Sequence, residues 1–162
     1  MVKRALKHLF TPHWLALRAF PASALKAVER AIKASERLHR GEIRFALEGP
    51  LHLWHLRATP RERARQVFAQ LGVWDTEENT GALIYVQLVD RRIEILADRG
   101  IAARVAQHEW DTICRGMERA FKAGQYEHGA LEAIAAVTRI LAREFPARDV
   151  NPNQLPDKPA VL

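Results

Sequence analysis

Residues 78–100, ENTGALIYVQLVDRRIEILADRG, decide how the chain folds. Two apolar runs rich in β-branched residues flank the polar break Asp90-Arg91-Arg92, which is the pattern of a β-hairpin. The first run is apolar on both faces, with Ala82, Ile84, Val86 and Leu88 on one and Leu83, Tyr85 and Val89 on the other. A strand of that kind lies inside a sheet that is covered on both sides. Glu94 interrupts the second run, so that strand belongs nearer an edge.

Working outward, residues 42–48 (EIRFALE) alternate strictly. The alternation predicts a half-buried strand with Ile43, Phe45 and Leu47 inward and Glu42, Arg44 and Glu48 outward, stopped by Gly49-Pro50. Between the strands, Thr59-Pro60-Arg61-Glu62 is a helix start. Thr59 can cap, Pro60 suits the first helical position and Glu62 completes a capping box. A helix joining two strands makes them parallel with a right-handed crossover, and the hairpin adds an antiparallel strand. Further helices are expected over 22–40, around the stripe Trp110, Ile113, Cys114, Met117 and Phe121, and from Tyr126 to Phe145. The predicted fold is α/β: a small mixed sheet sandwiched between helices. Residues 1–20 read as a basic amphipathic arm, 21–146 as the domain, and 147–162 as a Pro-rich tail, extended or loosely held.

At 162 residues the chain is long enough for a real core. Cys114 is alone, so no internal disulfide forms, which fits a reducing compartment. No signal peptide and no apolar run of membrane-spanning length stands out. These absences lead to the expectation of a cytoplasmic protein, peripheral at most to the inner membrane. The net charge of +6 is uneven. Residues 1–67 hold fourteen Lys/Arg against five Asp/Glu, and the remainder holds eleven against fourteen. The basic part reads either as solvated helix faces or as a surface for lipid headgroups or nucleic acid.

In the arm, Leu6, Leu9, Phe10, Trp14 and Leu17 share one face of two short helical pieces broken at Pro12, with Lys3, Arg4, Lys7 and Arg18 away from it. That pattern fits an interfacial membrane helix, and it fits an arm packed on its own domain, the reading favoured here. In Leu51-His-Leu-Trp-His-Leu56, two histidines three apart lack a third ligand, so an exposed apolar loop is expected. Phe10, Trp14 and Trp54 are the candidate membrane or partner contacts.

The segments Gly72-Val-Trp, Asn79-Thr-Gly-Ala-Leu-Ile-Tyr-Val, Asp90-Arg-Arg-Ile-Glu-Ile, Asp98-Arg-Gly-Ile and Phe121-Lys-Ala-Gly-Gln-Tyr together resemble the core of the TPM domain, over roughly residues 22–146. The tail Asn151-Pro-Asn-Gln-Leu-Pro-Asp157 resembles that of the short soluble bacterial branch of that family. The resemblance implies a sheet sandwiched by helices and a divalent-cation site built from acidic side chains at one sheet end. Some members are associated with acid phosphatase activity and others with maintenance of membrane complexes, including photosystem repair. Many members carry a signal peptide and a C-terminal membrane span, and this chain shows neither. Asn79-Thr80-Gly81 and Asp98-Arg99-Gly100 also depart from the family's usual residues, one losing a carboxylate and the other gaining one.

With Asp90-Arg91 at the hairpin tip, Asp98 is expected level with about Leu83, beside the loop that leads into the central strand. Asp75, Glu77, Glu78, Asn79 and Asp98 are then candidates to meet at one sheet end. Their hard oxygens suit calcium, magnesium or manganese. The alternative is that they are solvated loop residues, with Asp75 capping a turn. Glu109 or Asp111 are candidates to join from the next helix, and Asp90 reads as a turn residue only. No phosphate loop, nucleophile elbow or zinc protease motif is present, and Cys114 sits on an apolar stripe. A phosphatase would need Asp98 or Glu78 as nucleophile or metal ligand and Arg99 clamping phosphate. The leading expectation is a non-enzymatic, metal-binding interaction domain acting on a protein or a membrane surface, with metal-dependent phosphatase second and nucleic-acid binding third.

Overall fold

The computed structural model describes residues 2–148 and 152–162. Four strands form one sheet in the order β3-β2-β1-β4, with β1 Glu42–Glu48, β2 Gly81–Gln87, β3 Arg92–Ala97 and β4 Ala160–Val161. β1 and β2 are parallel, in register from Glu42 against Gly81 to Glu48 against Gln87. β2 and β3 are antiparallel, from Ala82 against Ala97 to Gln87 against Arg92. The expected mixed sheet is therefore present, with β2 interior and β3 at the edge.

Seven α-helices surround it among the described residues: α1 Val2–Phe10, α2 His13–Leu17, α3 Ala22–Ser35, α4 Pro60–Gln70, α5 Arg99–Ala102, α6 Gln107–Lys122 and α7 Tyr126–Glu144. The predicted capping box is formed: the Thr59 hydroxyl accepts from Glu62 N, and the Glu62 carboxylate accepts from Thr59 N. α3, α6 and α7 cover one face, where Phe45, Ile84, Ile95, Met117, Ile134 and Leu141 are buried together. α4 and the tail cover the other, around Ala46, Val67, Leu83, Tyr85 and Leu155. α3 stops five residues short of its expected end, where the Ser35 hydroxyl donates back to Ile32 O.

The strict alternation of β1 does not mean one wet face, which corrects the half-buried reading. Glu42, Arg44 and Glu48, expected outward, are 3%, 6% and 5% exposed. Glu42 and Arg44 are covered by the tail, which reaches them from over a hundred residues away and lays β4 beside Ala46 and Leu47, and Glu48 is covered by α4. A buried charge is tolerated only when paired or hydrogen-bonded: Glu48 has an ion pair, while Glu42 and Arg44 are held by backbone groups, with Arg44 Nε left without a partner among the described residues. Glu42 accepts from the backbone N–H groups of Gln154 and Leu155, each at 3.2 Å. Arg44 donates to the carbonyls of Pro156 and Lys158. Glu48 takes Arg63 from α4 and the Tyr85 hydroxyl from β2.

The tail brings a second carboxyl contact. Burial, then the hydrogen-bonded Asp157 carboxyl, push Glu36 up to about 8. The folded protein thus keeps a proton that the unfolded chain releases near 4.5. Stability from this group is complete below about pH 4.5 and is lost as pH rises through about 8. His39, buried and pushed down to about 4 by desolvation, works in the opposite sense, removing stability as pH falls from 6.5 towards 4. Thermal melts of Glu36→Gln against wild type isolate the first effect. The variant is expected to gain on wild type as pH rises from 4.5 to 8, and a pH-independent difference would contradict the assignment.

Candidate functional site

The acidic end of the sheet forms where the loop before β2 meets the residues after β3. Asp98 N donates to Gly81 O at 2.8 Å, so Asp98 returns level with Gly81, two residues beyond the expected Leu83. Asn79 sits in the left-handed region, with φ 56°. Its side-chain oxygen accepts from Arg99 Nε at 2.8 Å, and its carbonyl accepts from Gly100 N at 3.0 Å. Gly100 is required here: a Cβ would lie 2.5 Å from Glu78 O and 2.6 Å from Asn79 O. Asp98 caps α5, with Oδ1 accepting from Arg99 N at 2.7 Å, while Oδ2 is buried without a hydrogen-bond partner.

The expected residues come together only in part. Asn79, Asp98 and Arg99 converge around Gly100, where Glu78 contributes only its backbone carbonyl. Asp75 and Glu77 are on the exposed loop, and among the described residues Glu77 is engaged only through its backbone, which donates to the Gln154 side chain. Glu78 is held by two cations, Arg40 at 2.6 Å and Arg148 at 2.8 Å. The Arg99 guanidinium is directed to Asn79. Among the described residues, no three His, Cys, Asp or Glu side chains are grouped so as to hold a metal ion. The hard oxygens at this end are Asp98 Oδ2, without a partner among the described residues, the Asn79 amide oxygen, which accepts from Arg99, and the carbonyls of Glu78 and Asn79 over Gly100. Glu109 pairs with Arg143 on α7, which lowers its pKa, and Asp111 accepts from Gln107. Burial pushes the Cys114 thiol up to about 12, so it remains a thiol at neutral pH.

The opposite end of the hairpin holds what the sequence reading passed over. Asp90, expected as a turn residue only, is the anchor of the N-terminal arm. Its Oδ2 lies 2.8 Å from Arg4 Nε and its Oδ1 3.1 Å from His8 Nε2. Arg4 also donates to Leu56 O and Ala58 O, and Leu51 N donates to His8 Nδ1 at 2.9 Å. Because Nδ1 accepts, an imidazole hydrogen sits on Nε2, which is buried close to Asp90 without a formed hydrogen bond.

Successive helical residues are turned by about 100°, so Arg4 and His8 share one edge of α1 while Val2, Leu6, Leu9 and Phe10 share the opposite one. The arm therefore grips the domain with its polar edge and points its apolar edge outward. This inverts the expected packing. Phe10 is 76% exposed, Trp14 64% and Trp54 70%, with Val2, Leu6, Leu9 and Leu53 also exposed. Trp54 lies in the expected exposed apolar loop, stacked on His52 with centroids 5.0 Å apart. Lys3 and Lys7 are exposed along one flank of the apolar edge. No helix among the described residues is long and apolar enough to cross a membrane. The one sequence signal for this inversion was a lone acid at the tip of a hairpin in a chain whose arm is basic.

The comparisons with known proteins agree with the fold. The NMR structure of BA42 from the psychrophilic bacterium Bizionia argentinensis is 30% identical in sequence, with a TM-score of 0.78 over 88% of this chain and 94% of that one. No curated protein matches. The family model of the TPM domain matches residues 18–140, which takes in all three long strands and the helices that cover them, and the chain belongs to the TPM domain family.

Proposed function

We propose that this chain is a non-enzymatic TPM-type domain that acts at an anionic membrane surface, seated by its N-terminal arm. The observation that supports this is the inverted arm. Large apolar side chains at the surface are costly to solubility, and a contiguous patch of them marks an interaction site. Here the patch is flanked by Lys3 and Lys7, the arrangement of an interfacial helix at a negatively charged surface. Co-sedimentation with vesicles of phosphatidylcholine and phosphatidylglycerol tests it. The protein is expected to pellet at low salt and to be released as salt rises. A protein that remains in the supernatant at low salt overturns the reading.

A second property favoured by a specific observation is a divalent cation at the Asp98 end. An unpartnered buried carboxylate oxygen costs free energy that a cation would recover. With most neighbouring acids already paired, the site would be weak and would keep several waters. Calcium or manganese titration is expected to shift the amide signals of Asn79, Asp98 and Gly100, and Asp98→Asn is expected to remove most of that response. No response of the wild type at millimolar metal rejects it.

The phosphatase alternative has less support, since Glu78 is taken by two arginines and Arg99 by Asn79. Turnover of p-nitrophenyl phosphate above a heat-killed control, dependent on metal and lost in Asp98→Asn, would favour it. Nucleic-acid binding is supported only by the basic charge of the first 67 residues.

A further inference from the structure

We infer that a cavity beside the arm receives the phosphorylated headgroup of an anionic lipid, a site that rests on the membrane docking proposed above. The cavity has a volume of about 420 Å³ and lies between the arm, the hairpin tip and the start of α7. Lys7, Arg18 and Arg91 line it together with Thr11, Leu15 and Tyr126, and no carboxylate does.

The cavity gathers three cations on one lining with no carboxylate among them. Arg4, Arg40, Arg61, Arg63, Arg92, Arg143 and Arg148 are paired with acids, whereas other surface cations are single among the described residues. Lys7, Arg18 and Arg91 have none among the described residues, although they come from three separate segments. The nearest acid in sequence, Asp90, is already engaged by Arg4 and His8. Three cations around one concavity without a counter-ion create a field that draws in an anion, and guanidinium groups match phosphate oxygens in pairs. Arg91 is held at φ 53° by the hairpin tip, so its position is set by the backbone turn.

The position of the cavity favours a lipid over a free phosphate ester. Lys7 lies on the surface of α1 between the apolar edge and the cavity, and the exposed Leu15 lines the cavity itself. A headgroup seated among Lys7, Arg18 and Arg91 thus leaves its acyl chains beside Phe10 and Leu15, on the side where the apolar edge faces outward.

The test uses the full chain and vesicles of matched surface charge, one set containing phosphatidic acid and the other oleate. Wild type is expected to bind the phosphatidate vesicles several-fold more tightly. Arg18→Gln with Arg91→Asn removes two cations, and asparagine tolerates the left-handed backbone at position 91. This double variant is expected to lose roughly tenfold in affinity for phosphatidate and to lose the preference over oleate. Arg115→Gln with Lys122→Gln removes the same charge from the exposed side of α6 and is expected to change affinity less than about twofold. All these side chains are exposed, so both variants keep the wild-type melting temperature. Equal losses in the two double variants, or no phosphatidate preference in the wild type, overturn the headgroup site and leave membrane docking standing. Failure of the wild type to bind either vesicle overturns both. Binding of inorganic phosphate that Arg18→Gln with Arg91→Asn abolishes, without vesicle binding, overturns the lipid assignment in favour of a small soluble phosphate.

Discussion

Arg63→Ala is expected to destabilise the fold by about 3–5 kcal/mol, the cost of leaving one half of a buried ion pair. Arg63 is 8% exposed and Glu48 5%. Three contacts of 2.5–3.0 Å join the guanidinium to both carboxylate oxygens. Glu48 also receives the Tyr85 hydroxyl, whose own pKa is raised by burial, so no proton is released there to relieve the loss. Removing Arg63 leaves a carboxylate under α4 with one neutral donor and no cation. For a chain of this size the loss corresponds to a fall on the order of 10 °C in melting temperature. Glu48→Gln combined with Arg63→Met is the control. It takes away both charges and fills the volume, so it is expected to cost less than Arg63→Ala alone. If the double substitution costs the sum of Glu48→Gln and Arg63→Met measured singly, Glu48 and Arg63 are not energetically coupled and the argument fails. Urea denaturation with an unchanged slope is the measurement.

The same strand shows why part of the fold was legible and part was not. β2 could be read as interior because its own side chains are apolar on both faces, and a local pattern suffices for that. The start of α4 could be read because a capping box is written in four consecutive residues. β1 could not be read fully, since its pattern gives the chemistry of each face but not what covers it. Glu42, Arg44 and Glu48 look like solvent-facing residues until the tail and Arg63 arrive from distant segments. The candidate site divides in the same way. The return of Asp98 towards the Asn79 loop follows from hairpin geometry. That Glu78 is neutralised by Arg40 and Arg148 depends on contacts 38 and 70 residues apart, and nothing local encodes them. Amphipathicity likewise located the two edges of α1 correctly, but it could not say which one faces the domain. The default that apolar residues turn inward failed because one carboxylate, Asp90, sits where it can pair with Arg4 and His8 together.

That orientation underlies the largest functional effect expected, in Phe10→Ser with Trp14→Ser. Both side chains are mostly exposed, so the double variant is expected to melt within about 1 kcal/mol of wild type. Its affinity for anionic vesicles is a different matter. If about half of the ~200 Å² of each ring enters the acyl boundary, each contributes roughly 2–3 kcal/mol. The pair together then accounts for at least a hundredfold in partitioning, at ~1.4 kcal/mol per tenfold. Salt dependence should persist in what binding remains, because Lys3 and Lys7 are untouched. Asp90→Asn separates orientation from composition. It leaves every apolar side chain in place but removes the charge that holds Arg4 and His8 down. The arm then loses its fixed presentation and the membrane-facing edge must be ordered on binding, so an intermediate loss is expected. Vesicle affinity equal to wild type in Phe10→Ser with Trp14→Ser would mean that the outward apolar side chains of α1 and α2 have another use. Wild-type affinity in Asp90→Asn alone would mean that the arm needs no anchor to present it.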